Sequence, residues 1–365
     1  MKVLTTICRW LVGLLFIFSG LIKANDPLGL SFKMQEFFEK WGMEFLNNYS
    51  YSFAFAINIV EVLAGVAIII AWRPKLFTWL LLLLILFFTF LTSYVLFSGK
   101  IHACGCFGDC VPLTPIQTFT KDIILLILIL VILFNLKNVQ PLFNSKISIS
   151  ILVFTVAATG GIELYVAKHL PFMDCLPYKK GNNILDQMKP PVGSVSDSIL
   201  ITTRYKKAGK EVEIIGDNFP SDFDSTYEFI EGSQVQKIIR KGNNTPKIAN
   251  FSLTTFGNVD TTQAVLNSEK KYVMIFIKEF KSASEISDLI NISALQDIQK
   301  KGLPVFVVTS DVEGAANIIM KDVIFLKCDA TELKTAARVN PTYFLMQGAT
   351  ILNKLAATDA NKLLN

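Results

Sequence analysis

Three of the chain's six cysteines lie in one short loop, Ile101-His102-Ala103-Cys104-Gly105-Cys106-Phe107-Gly108-Asp109-Cys110. Buried packing cysteines need no such company, so this density points to thiol chemistry. A disulfide between Cys104 and Cys106 would close a very small ring, which strains the bond and makes it easy to reduce. Cys110, four residues past Cys106, is the candidate resolving or attacking thiol. His102 and Lys100 would favour a thiolate and Asp109 would oppose it. Two other readings stay open: a static disulfide beside a spare thiol, and a structural zinc on His102, Cys104, Cys106 and Cys110. One-residue gaps between thiolates do not match the usual zinc knuckle, so no metal is expected.

The loop must be positioned by apolar elements. The chain has 365 residues, of which 52% are hydrophobic and 18% charged, with a mean hydropathy of +0.45. Those values suit neither a soluble protein nor a pure membrane protein, and the composition divides near residue 167. About 20 apolar residues span a bilayer core as a helix. Residues 3–22, 52–72, 76–97, 118–136 and 147–167 meet that criterion. A cleaved signal peptide is the alternative for the first, although no small-x-small site precedes Lys23. Between the first two spans, Asp26-Pro27 reads as a turn and residues 32–41 as an amphipathic surface helix.

Glu61 falls in the middle of the second span, where an ionised side chain must be paired, neutral or facing a cavity. Lys23, Lys121 and Asp122 fall nearer the interface, where anchoring or capping competes with function. If the N-terminus is cytoplasmic, the inner connections carry Lys2, Arg9, Arg73, Lys75, Lys137 and Lys146 and no acid, which obeys the positive-inside rule. The cysteine loop and everything after 167 would then share the outer, oxidising side. The net charge of +5 comes without a basic stripe interleaved with aromatics, so no nucleic-acid partner is expected.

Residues 168–250 alternate in short stretches, among them 199–205 and 211–215, and read as a small β-rich module. From 251 the expected order is strand 250–255, helix 261–267, strand 272–278, helix 284–300, strand 304–309, helix 313–320, strand 323–327 and a hairpin over 342–354. Strands alternating with helices imply a sheet with parallel strands. Through Val273-Met274-Ile275-Phe276-Ile277 as central strand and Asn340-Pro341-Thr342-Tyr343-Phe344-Leu345, this part resembles the thioredoxin superfamily. The second segment is similar to the one that carries the family's cis-proline. Where that family has Cys-x-x-Cys, this chain reads Glu279-Phe280-Lys281-Ser282-Ala283-Ser284. The domain is therefore expected to be redox-silent and to dock a polypeptide, with Cys328 as a small hydrophobe.

Four spans, the Cys104-Gly105-Cys106-Phe107-Gly108-Asp109 stretch and the charges at Lys23, Glu61 and Asp122 resemble the DoxX-like membrane proteins, and within them the methylamine utilisation protein MauE branch, of the Bacteroidetes kind. The resemblance implies a protein of the bacterial inner membrane, multi-pass, with its C-terminal half periplasmic, that helps disulfides form or rearrange in a client. The expected architecture is a four-helix membrane domain over 1–140, a fifth span over 141–167, the β-rich module over 168–250 and a thioredoxin-like domain over 251–365. Thiol–disulfide exchange by Cys104, Cys106 and Cys110, with His102, Asp109, Glu61, Lys23, Lys121 and Asp122 as auxiliaries, is the leading function. Such a loop needs an electron acceptor, a quinone or another thiol protein, although no quinone motif can be read. A non-enzymatic envelope scaffold is the rival. A transporter using Glu61 has less support, since the five spans show no internal repeat.

Overall fold

The computed structural model describes the chain except residues 102–104, 241, 281–288, 317, 319 and 365. The chain divides into two compact units, 1–181 with 252–365, and 182–251.

In the first unit, α1 (Lys2–Asn25), α3 (Ser50–Ile70), α4 (Pro74–Ser98), α5 (Pro115–Phe134) and α6 (Ser145–Val166) match the five expected spans to within a few residues. Five helices among the described residues are long and apolar enough to cross a membrane, so a lipid bilayer is the environment they fit. Their starts follow from local chemistry. Pro74 and Pro115 sit in the first turns of α4 and α5, where a missing N–H costs nothing. Thr114 and Gln117 form a capping box, and Asn144 accepts from Ile147 N at 2.9 Å. Gly99, at φ +62°, ends α4 in the left-handed region that favours glycine. Asp26-Pro27, expected as a turn, instead opens the surface helix α2 (Pro27–Lys40): the Asp26 carboxylate accepts from Gly29 N at 3.0 Å, and Pro27 fits the first helical position.

Glycines let α1 and α3 approach closely. A Cβ on Gly13 would stand 2.8 Å from the Gly65 carbonyl oxygen, and one on Gly65 would stand 2.7 Å from that of Gly13. Backbone cannot retreat as a flexible side chain can. Gly65→Val is therefore expected to force the helices apart and to cost on the order of 1–3 kcal/mol, the usual range for overpacking. Denaturant unfolding in micelles would measure it, and a wild-type midpoint would refute the close approach.

The second part of this unit holds a five-stranded sheet of order β7-β6-β5-β8-β9; in our chain-order numbering these are β5 (Lys271–Ile277), β6 (Val305–Thr309), β7 (Val323–Lys327), β8 (Thr342–Gln347) and β9 (Thr350–Ala356). The pairs β5–β6 and β6–β7 are parallel, while β8 and β9 run antiparallel. Val273 to Ile277 are fully buried, as expected of a central strand covered on both faces. The Asn340-Pro341 peptide is cis. The expected strand 250–255 is reduced to isolated bridges at Thr254. Helix 284–300 is described from Ile292 to Lys300, and its expected start lies outside the described residues. An unexpected helix, Ala330–Ala336, forms because the Asp329 carboxylate accepts from both Thr331 N and Glu332 N.

The second unit is built on a four-stranded antiparallel sheet, in which β1 (Ser198–Lys207) pairs with β2 (Lys210–Ile215), β3 (Glu228–Phe229) and β4 (Val235–Arg240).

Candidate functional site

Two charged pairs of the membrane helices, Lys23–Glu61 and Lys121–Asp122, lie beside the cysteine loop. Glu61 on α3 is fully buried and ion-pairs with Lys23 on α1. Lys23 does not reach for an interface: it is buried and lies 4.6 Å from the centre of the Phe88 ring. Ser19, one turn before Lys23, donates to the Cys106 carbonyl at 2.9 Å, and its hydroxyl is 3.2 Å from Glu61 Oε2. On the other side of the loop, Thr92 on α4 donates to Asp122 on α5 at 3.0 Å. Lys121 Nζ is 2.6 Å from Asp122 Oδ1 and 4.8 Å from the centre of the Phe107 ring. Lys23–Glu61, buried, and Lys121–Asp122, with Lys121 partly exposed, thus form two polar pairs near the loop, which Ser19 and Lys121 touch.

Within the loop, Gly108 N donates to Gly105 O at 3.0 Å in a tight turn. Cys106 is buried, packed in a cluster with Phe37, Leu91, Val95 and Ile101. His102 and Cys104 lie outside the described residues. Cys110 is disulfide-bonded to Cys175, 65 residues further on. Cys110 was expected within reach of Cys104 or Cys106; its sulfur instead belongs to a covalent bridge between the loop and the segment that follows α6. That leaves the zinc alternative one thiolate short. Cys175 was not among the expected residues. The signal that could have found it is a cysteine between Pro171 and Pro177, on the side the basic connections lead one to expect to be oxidising, where a bridge is the usual fate.

A second missed residue is Arg338, at the end of the helix Ala330–Ala336. Arg338 is only 5% exposed. Its Nε donates to Asp26 Oδ2 at 2.8 Å and its Nη2 to Asp109 Oδ2 at 2.7 Å, so one guanidinium ties together the start of α2, the cysteine loop and the α/β domain. Asp109 is a ligand of this fork rather than simply a neighbour of thiols. Beside it the ring of Phe32 has Lys278, Lys334 and Arg338 each within 5.7 Å of its centre. Asn340, next to Pro341, accepts from Lys278 N at 2.9 Å and donates to Glu279 O at 3.2 Å. The Pro341 end of the sheet is therefore packed against Asp26 and Phe32 of the protein's own N-terminal part.

The disulfide forms one wall of a narrow crevice lined also by Asp26, Asp109, Met173 and Asp174. Lys354 of β9 pairs with Asp174 at 2.7 Å. His169, at the end of α6, is 2.6 Å from Asp359. The only cysteine of the sheet domain, Cys328, has its thiol pushed up to about 12 by burial, which suits packing and not nucleophilic attack.

Burial, with the Arg338 guanidinium nearby, pushes Lys278 down to about 8. The unfolded chain then binds more protons than the folded one between about pH 8 and the ordinary lysine value, so stability should rise with pH across that window. Lys278→Met is expected to flatten the rise, as read by thermal unfolding at stepped pH. An unchanged slope in the variant would assign it to other groups.

Comparison with known proteins follows this division of the chain. Residues 1–135 match the family model of methylamine utilisation protein MauE, a stretch that ends with α5 and contains Lys23, Glu61, Asp122 and the whole cysteine loop. Protein TlpB of Flavobacterium psychrophilum is 25% identical over 233 residues, which are 60% of this chain and 62% of that protein. The chain thus spans less than two thirds of the length of the curated relative it matches. No solved structure matches it. The membrane half of this chain is similar in sequence to MauE, and the similarity covers the residues that surround the thiols.

Proposed function

We propose that this protein is a membrane thiol–disulfide exchange protein that oxidises or rearranges thiols of an extracytoplasmic client through the loop holding Cys104, Cys106 and Cys110. One observation carries the reading: the loop that is densest in thiols already holds a disulfide, Cys110–Cys175, and its backbone is bonded directly to the intramembrane polar network through Ser19. In an oxidising turnover, a client thiolate attacks one sulfur of a loop disulfide and expels the other as a thiolate. The client's second thiol then displaces the mixed disulfide. Two electrons and two protons pass from client to loop, and an acceptor of both, a quinone or a second thiol protein, restores the disulfide. His102, Asp109, Lys23, Glu61, Lys121 and Asp122 act by holding the loop and its charge.

The client, in this reading, does not dock at the Pro341 end of the α/β domain, which the protein's own Asp26 and Phe32 cover. The basic connections Arg73, Lys75, Lys137 and Lys146 support the orientation in this reading, with that domain and the loop outside the cytoplasm of a bacterial inner membrane. Alkaline phosphatase fused after Asn365 should be active and a fusion at Lys137 inactive; the reverse pattern overturns the orientation.

A scaffold with a structural bridge is the second reading, favoured by the burial of Cys106 and by the Arg338 fork that fixes Asp109. Thiol alkylation and mass spectrometry on membranes under graded reductant separates the two. Exchange requires loop cysteines that open over the range that reduces thioredoxin-type pairs. If all stay oxidised through that range, the scaffold reading stands.

A further inference from the structure

The fifth span carries an acid that the thiol reading does not use. Glu163 on α6 and Asn58 on α3 are both fully buried. Asn58 Nδ2 donates to Glu163 Oε1 at 2.7 Å. Their other two oxygens, Asn58 Oδ1 and Glu163 Oε2, are buried with no hydrogen-bond partner. Around them the seam is apolar: at Gly160, one turn from Glu163, α6 faces Phe55 and Ile59 of α3.

Among the described residues no cation pairs with the carboxyl group. Lys23 of α1 is engaged with Glu61 and His169 past the end of α6 with Asp359, while Lys168, five residues beyond Glu163 and past the end of α6, is exposed and makes no ion pair with it. Arg9, the other buried cation of α1, lies 14 residues before Lys23, about 21 Å along the helix axis at 1.5 Å per residue. The remaining titratable group on the facing side of α3 is Tyr51, two turns before Asn58, whose buried hydroxyl also lacks a partner.

The bonding pattern identifies the missing ligand. A carboxylate can share one hydrogen bond with a primary amide, whereas a carboxylic acid can share two, N–H to the acid carbonyl and O–H to the amide oxygen. The two orphaned oxygens are the ones that the second bond would join. We propose that Glu163 and Asn58 form a proton-binding site at the seam of α3 and α6, with the proton carried on Glu163 Oε2 and donated to Asn58 Oδ1. Release of the proton leaves an uncompensated carboxylate between two apolar surfaces, so proton occupancy and the contact of α6 with α3 are thermodynamically linked. The proposal does not depend on thiol exchange.

Infrared spectroscopy of the full chain in lipid vesicles tests it directly. The wild type at neutral pH should show the carbonyl stretch of a protonated carboxyl that disappears in Glu163→Gln. That variant should fold, because the glutamine amide can donate to Asn58 Oδ1 in place of the acid O–H. In Asn58→Leu the same band should move to higher frequency, since its carbonyl loses the Nδ2 bond. If the wild type minus Glu163→Gln spectrum contains only bands of an ionised carboxylate at neutral pH, the proposal fails. Should Glu163→Gln not fold, Asn58→Leu decides alone, and an unshifted carboxyl band overturns the assignment.

Discussion

Replacing Cys175 with Ser should leave Cys110 as a thiol that alkylates in intact membranes, where in the wild type it is bridged. The chain-entropy account of a bridge closing 65 residues gives about 4 kcal/mol. We expect the lower end of the usual range, about 2 kcal/mol, because α5 and α6 lie between the two cysteines and already return the chain to the same end of the bundle. The unfolded reference in a membrane retains that hairpin, so the bridge removes less freedom from it. The functional effect should exceed the structural one. If the bridge takes part in exchange, Cys175→Ser should lose client oxidation and accumulate mixed disulfides through Cys110. Unchanged client oxidation in a folded Cys175→Ser chain would remove Cys110–Cys175 from the chemistry and leave it as a clasp. Cys110→Ser gives the complementary arm, with Cys175 exposed to alkylation and no adduct at position 110.

What the sequence makes legible follows how local each signal is. The five spans are readable because an apolar run of sufficient length has one stable outcome in lipid. The central strand β5 is readable for the same reason, as a short apolar run between charged ends. The helix over Ala330–Ala336 is not, because its one strong signal is the cap at Asp329 and seven residues carry too little periodicity. Asp26-Pro27 shows the same ambiguity: a cap followed by proline starts helices as well as making turns.

The site divides along the same line. Glu61 stands out because a charge in mid-span is costly wherever the chain folds. Its pairing with Lys23, 38 positions earlier, depends on the close approach that Gly13 and Gly65 permit, which no spacing rule reveals. Cys175 and Arg338 are distant from the loop in sequence and are recruited to it only by tertiary structure. Glu163, three residues from the end of its helix, is not singled out by the sequence, and gains its meaning only when the facing helix supplies Asn58.

The largest expected loss comes from breaking the Lys23–Glu61 pair. Both groups are buried, so Lys23→Met leaves a carboxylate in an apolar interior without its cation, and the typical cost of such an uncompensated charge is about 3–5 kcal/mol. Replacing both partners, Lys23→Met with Glu61→Leu, should recover most of that loss, because apolar groups of similar size often substitute for a buried ion pair without penalty. The double-mutant cycle, read from unfolding in micelles, measures their coupling. The doubly substituted chain also separates support from chemistry. Ser19 retains its bond to the Cys106 carbonyl there, but the charge beneath the loop is gone. A stable double variant that no longer re-oxidises its loop cysteines would assign Lys23 and Glu61 to redox turnover. One that does so at the wild-type rate would show that the pair serves only to join α1 to α3.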